Sequence, residues 1–163
     1  MILIIVCLFI LLLIAVYTDY RYGKIPNTLI LTGFLIGILW LVFQEIIFGG
    51  QEKSLTESVL RLLQILIGKI PCVLIPFLFF YPFFSLGVLG AGDVKLFSMM
   101  GIYFSFYPLI INIFFAFLAA AILAVMKMLM QKSFLIGKKI HLALPIFAGV
   151  CIGAILKIGG VCL

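Results

Sequence analysis

Long apolar runs without a charged residue alternate with short polar segments along the 163-residue chain. The runs cover residues 1–17, 25–44, 70–92, 96–126 and 140–156. Uncharged runs near 20 residues match the hydrocarbon thickness of a bilayer. A transmembrane barrel would instead show short segments of alternating hydropathy. The pattern predicts an all-α, polytopic membrane protein with about six transmembrane helices.

The third run is preceded by a helix start. Residues 54–57 have the sequence Ser-Leu-Thr-Glu, which fits a capping box, so we expect a helix to begin there. Arg61, Gln64 and Lys69 then share one helical face. This spacing predicts an interfacial amphipathic turn that continues into the bilayer.

The run 96–126 is long for one crossing and short for two, and charge decides between them. A single crossing would put the lysines between residues 127 and 139 outside the cell, against the positive-inside rule. A hairpin turning near residues 103–108 returns them to the side of Arg21 and Lys24. We therefore predict six spans in one membrane-embedded domain, residues 1–163, with both termini outside.

The hairpin makes the fourth span unusually short. From about residue 93 to residue 106 it would be only about 21 Å long at 1.5 Å per residue. A hydrocarbon core is roughly 30 Å thick. We therefore expect local thinning of the bilayer or access of water beside Asp93.

Composition agrees with a membrane protein: 67% of residues are apolar, 10% are charged and the mean hydropathy is +1.46. The net charge of +6 indicates cytoplasmic loops and an anionic leaflet rather than nucleic-acid binding. The first run lacks a charged n-region and a small-x-small cleavage site, so we interpret it as a retained span. The four cysteines form no Cys-x-x-Cys pair, which argues against a zinc site or a disulfide framework.

Two aspartates, Asp19 and Asp93, adjoin the apolar runs and are the candidates for chemistry. An ionisable side chain near a bilayer is costly and is therefore a functional candidate. A carboxylate pair can hydrolyse a peptide bond when one member takes a proton from water and the other, protonated, polarises the carbonyl. Asp93 is predicted to open a helix, where the macrodipole favours the anion, and Asp19 to close one, where it favours the neutral acid.

Each candidate also has a plainer interpretation. Asp93 could be a helix N-cap after a glycine turn. Asp19 could be a snorkelling interfacial residue whose charge is paired with Arg21 or Lys24. His141, the single histidine, is more simply a helix-start residue beside lysines. Asn112 is more simply a hydrogen-bonding residue between helices.

The aspartate segments resemble the motifs of the type IV prepilin peptidases, the GxGD-type intramembrane aspartic proteases. Residues 90–96, Gly-Ala-Gly-Asp-Val-Lys-Leu, are similar to the second-aspartate motif. Asp19, Arg21 and residues 25–27, Ile-Pro-Asn, are similar to the first. A weaker third match is the last span with Pro145, so the resemblance covers the chain to about residue 153.

The resemblance implies cleavage of a short basic leader from pilin-like precursors, usually after a glycine at the start of their hydrophobic helix. It implies no metal, no cofactor, and aspartates on the cytoplasmic face of the plasma membrane. Asp19 and Asp93 correspond to the catalytic pair. The residues that correspond to substrate-binding or motif-support positions are Gly90, Gly92, Lys95, Arg21, Pro26 and Asn27.

One difference from larger family members concerns a second activity. Those members carry an N-terminal region with paired Cys-x-x-Cys motifs, linked to N-methylation of the mature pilin. This chain looks like the short form seen with tight-adherence pili and archaeal preflagellins, so we expect no methyltransferase activity.

Two other function classes stay open. A small ion- or proton-coupled transporter would use the two aspartates as cation sites, and a non-enzymatic assembly factor of a pilus or secretion machine would need neither. Expected partners are a prepilin-like substrate and membrane lipid, and no nucleic acid.

Overall fold

The structure is a computed structural model that describes residues 2–48, 55–87, 89–131 and 143–158. These residues form six helices and, within those ranges, no strand. The helices are α1 (Ile2–Tyr22), α2 (Asn27–Phe48), α3 (Leu55–Ser85), α4 (Ala91–Tyr103), α5 (Phe106–Gln131) and α6 (Ala143–Ile158). The predicted all-α polytopic fold is confirmed.

The six helices differ in whether they can cross a bilayer. Four of those described, α1, α2, α3 and α5, are long and apolar enough to do so. The helix α6 contributes a shorter apolar segment, Ala143–Ala154. The helix α4 has 13 residues, a length of about 20 Å, so it does not span a core of roughly 30 Å by itself.

The fourth apolar run is broken where the charge argument predicts. The helix α4 ends at Tyr103, Phe104 is extended, and α5 begins at Phe106. The chain then returns beside α4, because the ring of Phe117 lies 5.9 Å from that of Phe97 with nearly parallel planes. Phe80 of α3 stacks on both rings, at 4.9 and 5.4 Å, so α3, α4 and α5 meet at this point.

The predicted third span, residues 70–92, is wrong at its end. The helix α3 stops at Ser85, and Gly87 has a φ of 73° in the turn toward α4. Glycine adopts this left-handed conformation readily because it has no Cβ. Hydropathy missed the turn because the turn residues are themselves uncharged.

The start of α3 agrees with the expected helix start, and Ser54 of the capping box lies outside the described residues. From Leu55 onward, α3 is one helix of 31 residues with three internal prolines, Pro71, Pro76 and Pro82. Its length of about 46 Å exceeds the bilayer core. A helix of this length crosses a bilayer only if it tilts, kinks or extends beyond the hydrocarbon, and the interfacial first turn stays a prediction.

The core of the bundle is centred on α4, which contacts α1, α2, α3 and α5. Leu96, Phe97, Met99 and Met100 of α4 have no exposed surface. Two glycines of α2 allow α2 and α4 to approach closely. A Cβ on Gly33 would overlap the side chain of Met99, and a Cβ on Gly37 would overlap that of Ile102. The hydroxyl of Tyr103 donates to the Gly33 carbonyl at 2.6 Å, which fixes α4 against α2.

The contact between α3 and α4 combines a proline with a glycine. Pro76 lacks the N–H that would bind the carbonyl of Cys72 four residues earlier. Gly101 of α4 packs against this carbonyl, and a Cβ at Gly101 would overlap it. Because Gly101 has no side chain, α4 can lie directly against the backbone of α3.

The helices α5 and α6 also pack closely through small residues. A Cβ on Gly149 would contact the backbone of Ala116 at 2.6 Å, and a Cβ on Gly153 would overlap the side-chain oxygen of Asn112. Asn112 is buried in this contact, so it lies at a helix–helix interface, and its expected interhelical hydrogen bond stays a prediction. His141 lies outside the described residues.

Candidate active site

Asp19 lies in the last turn of α1 and is 8% exposed. The helix ends there because Gly23 has a φ of 63°, and its N–H donates to the Asp19 carbonyl at 2.8 Å. This is a left-handed helix C-terminus. The chain reverses within residues 23–26, and α2 begins at Asn27. The Asp19 carboxyl group is therefore placed at the carboxyl end of a helix.

Asp93 is the third residue of α4 and is also 8% exposed. The helix N-cap is Gly90, so the interpretation of Asp93 as the N-cap is wrong. Instead, the backbone N–H of Gly90 donates to Oδ2 of Asp93 at 3.3 Å. A Cβ on Gly90 would lie 2.9 Å from that oxygen, so glycine leaves room for the carboxylate.

The segments that carry the two aspartates contact each other at two points. Lys95 Nζ donates to Oδ1 of Asn27 at 2.9 Å, across 68 residues of sequence. A Cβ on Gly92 would lie 3.0 Å from Cβ of Ile25, so the α1–α2 turn packs on the first turn of α4. Both buried carboxyl groups therefore lie at the same end of the bundle.

The remaining motif residues lie on the surface of this end. Arg21 is exposed and donates to the hydroxyl of Tyr17, and its guanidinium lies 5.6 Å from the ring of Tyr22. Lys24 and Pro26 are exposed as well. The basic side chains thus surround the turn, whereas the two aspartates are covered by protein.

Sequence reasoning missed a contact at the opposite end of α4. Lys69 of α3 is half-buried and donates from Nζ to the carbonyl of Phe104 at 2.9 Å. This bond places a cation at the carboxyl end of α4, where the helix dipole favours it. A lysine inside an apolar helix is itself a signal of a buried contact, whereas its spacing from Arg61 and Gln64 predicts only an interfacial face.

Sequence reasoning also missed an apolar cavity of about 690 Å³ between α3 and α5, which we call the α3–α5 groove. Its position depends on how far two helices separate, and no sequence pattern gives that distance. The lining residues are Ile75, Pro76, Phe79, Phe80, Phe83, Leu89, Phe106, Leu109, Ile110, Ile113, Phe114 and Phe117.

Metal-ligating side chains are sparse in the described part of the chain, where no group of three or more His, Cys, Asp or Glu could hold an ion. Cys7, Cys72 and Cys151 are free thiols, and Cys162 lies outside the described residues.

The fold and the site define a polytopic helical membrane protein with two buried carboxyl groups at one end of the bundle. Residues 6–125 match the sequence profile of the Type IV leader peptidase family. The match covers more than half of the chain, so the chain belongs to this family and is a peptidase of the type IV leader peptidase kind. No curated protein and no solved structure is similar enough to count as a match.

Proposed function

We propose that this chain is an intramembrane aspartic endopeptidase of the plasma membrane, with Asp19 and Asp93 as its catalytic pair. Its substrates are prepilin-like precursors, from which it removes the short basic leader at the cytoplasmic face. The observation that supports this most is the contact of the two aspartate segments through Lys95 and Asn27, with both carboxyl groups buried beside it.

Asp93 is the better candidate for the general base. Its carboxylate accepts the Gly90 N–H and lies in the first turn of α4, and both features stabilise an anion. Asp93 takes a proton from water as the water oxygen attacks the scissile carbonyl carbon.

Asp19 is the better candidate for the general acid. It lies in the last turn of α1, and a two-aspartate mechanism needs one protonated carboxyl group beside the general base. Protonated Asp19 donates to the carbonyl oxygen as the tetrahedral intermediate forms. When the C–N bond breaks, the leaving amine takes the proton that Asp93 holds, and Asp19 takes back a hydroxyl proton of the intermediate, so that the leader leaves with a new carboxyl terminus.

The supporting residues have separable roles in this proposal. Gly90 leaves room for the Asp93 carboxylate, and Gly92 lets the turn at Ile25 pack on the first turn of α4. Lys95 and Asn27 hold the two aspartate segments together. Arg21 and Lys24 are exposed and suit anionic headgroups of the cytoplasmic leaflet, which favours the cytoplasm as the side of the site.

The test is cleavage of a tagged prepilin co-expressed with this protein. Asp19→Asn and Asp93→Asn should each lower the cleavage rate by about 10²–10⁴-fold, the usual contribution of a general acid or base. Glu57→Gln removes an exposed carboxylate from α3 and should leave the rate unchanged. Protease protection of the membranes checks that every variant inserts normally.

Other outcomes would contradict the proposal. Either aspartate variant cutting at the wild-type rate would exclude the dyad. Wild-type protein that cuts none of several prepilins, but carries a proton or cation flux that depends on Asp19 and Asp93, would favour a transporter. Mass spectrometry of the mature N-terminus in the same experiment shows whether it is methylated, and we expect that it is not.

A further inference from the structure

We propose that the α3–α5 groove is the docking site for the first three turns of the substrate's apolar helix. This proposal rests on the proposed function, because it assigns a place to the helix that follows the scissile bond. It goes further by naming the two helices between which the substrate enters and the length of substrate that they hold.

The groove is continuous with the candidate active site. Leu89 lines it and directly precedes Gly90, whose N–H binds Asp93. Phe80 and Phe117 also line it, and both stack on Phe97, one turn after Asp93 in α4. The end of the groove formed by Leu89 and Phe117 is therefore adjacent to the catalytic end of α4.

The groove is open on the side away from α4. Phe79 on the α3 wall and Phe114 on the α5 wall are each 63% exposed. Both belong to helices long and apolar enough to span a bilayer, so the opening faces lipid. A helix already in the bilayer can then enter sideways, without carrying apolar side chains through water.

The size of the groove matches a short length of helix. Along α5 it extends from Phe106 to Phe117, about 17 Å at 1.5 Å per residue. That distance corresponds to about three turns, or roughly 11 residues, of a helix lying beside it. The volume of about 690 Å³ lies within the usual range of about 300–1,000 Å³ for binding cavities.

The chemistry of the walls selects an apolar occupant with no buried charge. Six of the twelve lining residues are phenylalanines and none carries a charge, so a polar segment would lose its hydrogen bonds there. Pro76 forms part of the α3 wall, where its ring adds apolar surface and its nitrogen carries no N–H. A helix seated here with its N-terminus toward Leu89 presents its first peptide bonds to Asp93 and its basic leader to the cytoplasm.

Photo-crosslinking tests the docking directly. A benzophenone amino acid replaces Phe79 on the groove wall or, as the matched control, Leu78, which is 65% exposed and does not line the groove. Both are made with Asp93→Asn, so that a co-expressed prepilin stays uncut. The Phe79 position should give at least about tenfold more adduct, mapped to the first 11 or so residues of the substrate helix.

Blocking the groove gives a second readout. Ile75 lines the groove and is 44% exposed, whereas the adjacent Leu74 does not line it and is 47% exposed. Ile75→Trp should lower the initial cleavage rate at limiting substrate by about tenfold or more, because misplacing the scissile bond is costly. Leu74→Trp should stay within about twofold of wild type.

Three results would overturn the docking proposal. Equal adducts at Phe79 and Leu78, adducts with lipid or a second copy of this chain alone, or equal rates for the two tryptophan variants would do so. The outcome is separable from that of the peptidase proposal. Adduct at Phe79 without cleavage by wild-type protein would support docking and contradict the peptidase, and cleavage without the adduct would do the reverse.

Discussion

The helices α3 and α4 lie side by side but differ in almost every physical respect. The helix α3 has 31 residues, three prolines and a mostly exposed surface. The helix α4 has 13 residues, and the stretch from Val94 to Ile102 is buried apart from half-buried Lys95. The longer helix meets lipid, and the shorter one meets only its neighbours.

This difference shows how a membrane protein can bury carboxyl groups at the end of its helical bundle. The surroundings of α4 are protein, so its first turn can carry Asp93 and a backbone donor to it instead of lipid-facing apolar side chains. The expected thinning of the bilayer beside Asp93 stays a prediction. Helices that enclose α4 also reduce the need for lipid to adapt to its short length.

The largest effect is expected where α4 touches the α3 backbone. Gly101→Ala puts a Cβ onto the Cys72 carbonyl, and backbone atoms have little freedom to move aside. Such overpacking costs about 3 kcal/mol of unfolding free energy, the upper part of the usual range. Gly68→Ala in α3 meets nothing within 4 Å and should be neutral or slightly stabilising.

Unfolding of the purified protein in detergent by added sodium dodecyl sulfate measures both alanine variants. Equal stability of the two would show that α3 and α4 do not pack as closely as described.

The next effect concerns the far end of α4. Lys69→Met removes the donor to the Phe104 carbonyl while keeping an apolar stem of similar length. A hydrogen bond to a charged group contributes about 1.5–3 kcal/mol, and we expect a loss near the lower limit because Lys69 is only half-buried. Arg61→Met, which removes an exposed cation from the same helix, is the control and should change stability little.

A smaller effect is expected at the turn that separates the two helices. Gly87 has a φ of 73° and no neighbour within 4 Å of its missing Cβ, so Gly87→Ala strains the backbone without a clash. The left-handed conformation costs alanine about 1 kcal/mol, the lower end of the usual range, because no clash adds to it. Gly87→Asn should recover part of that loss, since asparagine tolerates this conformation. Identical unfolding curves for alanine and asparagine would argue against a left-handed residue here.

The smallest effect is the coupling between the aspartate segments. Lys95→Met, Asn27→Ala and the double variant form a thermodynamic cycle for the bond from Nζ to Oδ1. Because the bond lies at the surface, its coupling energy should be about 0.5–1 kcal/mol. Lys24→Met paired with Asn27→Ala should show no coupling. Cleavage rates of the same variants should fall together with stability if the bond aligns the two carboxyl groups.

Several elements could be predicted because their cause is local in the sequence. The length of an apolar run decides whether a helix can cross a bilayer. The lysines that follow the run 96–126 indicate that the run contains a turn, which the structure has between α4 and α5. The break after α3 could not be predicted in the same way, because the residues around Gly87 are uncharged. Asp19 and Asp93 could be identified because the chain has only five acidic residues and these two lie beside the ends of apolar runs.

The amino-acid sequence alone predicts an all-helical membrane bundle of the Type IV leader peptidase family and a pair of acids beside its apolar runs. The packing of the helices adds that α4 is central, that Lys95 reaches Asn27, and that α3 and α5 separate into a groove. The reason is that hydropathy measures transfer into an apolar medium. A protein interior and a lipid tail are both apolar, so the choice between them depends on close packing at residues such as Gly101.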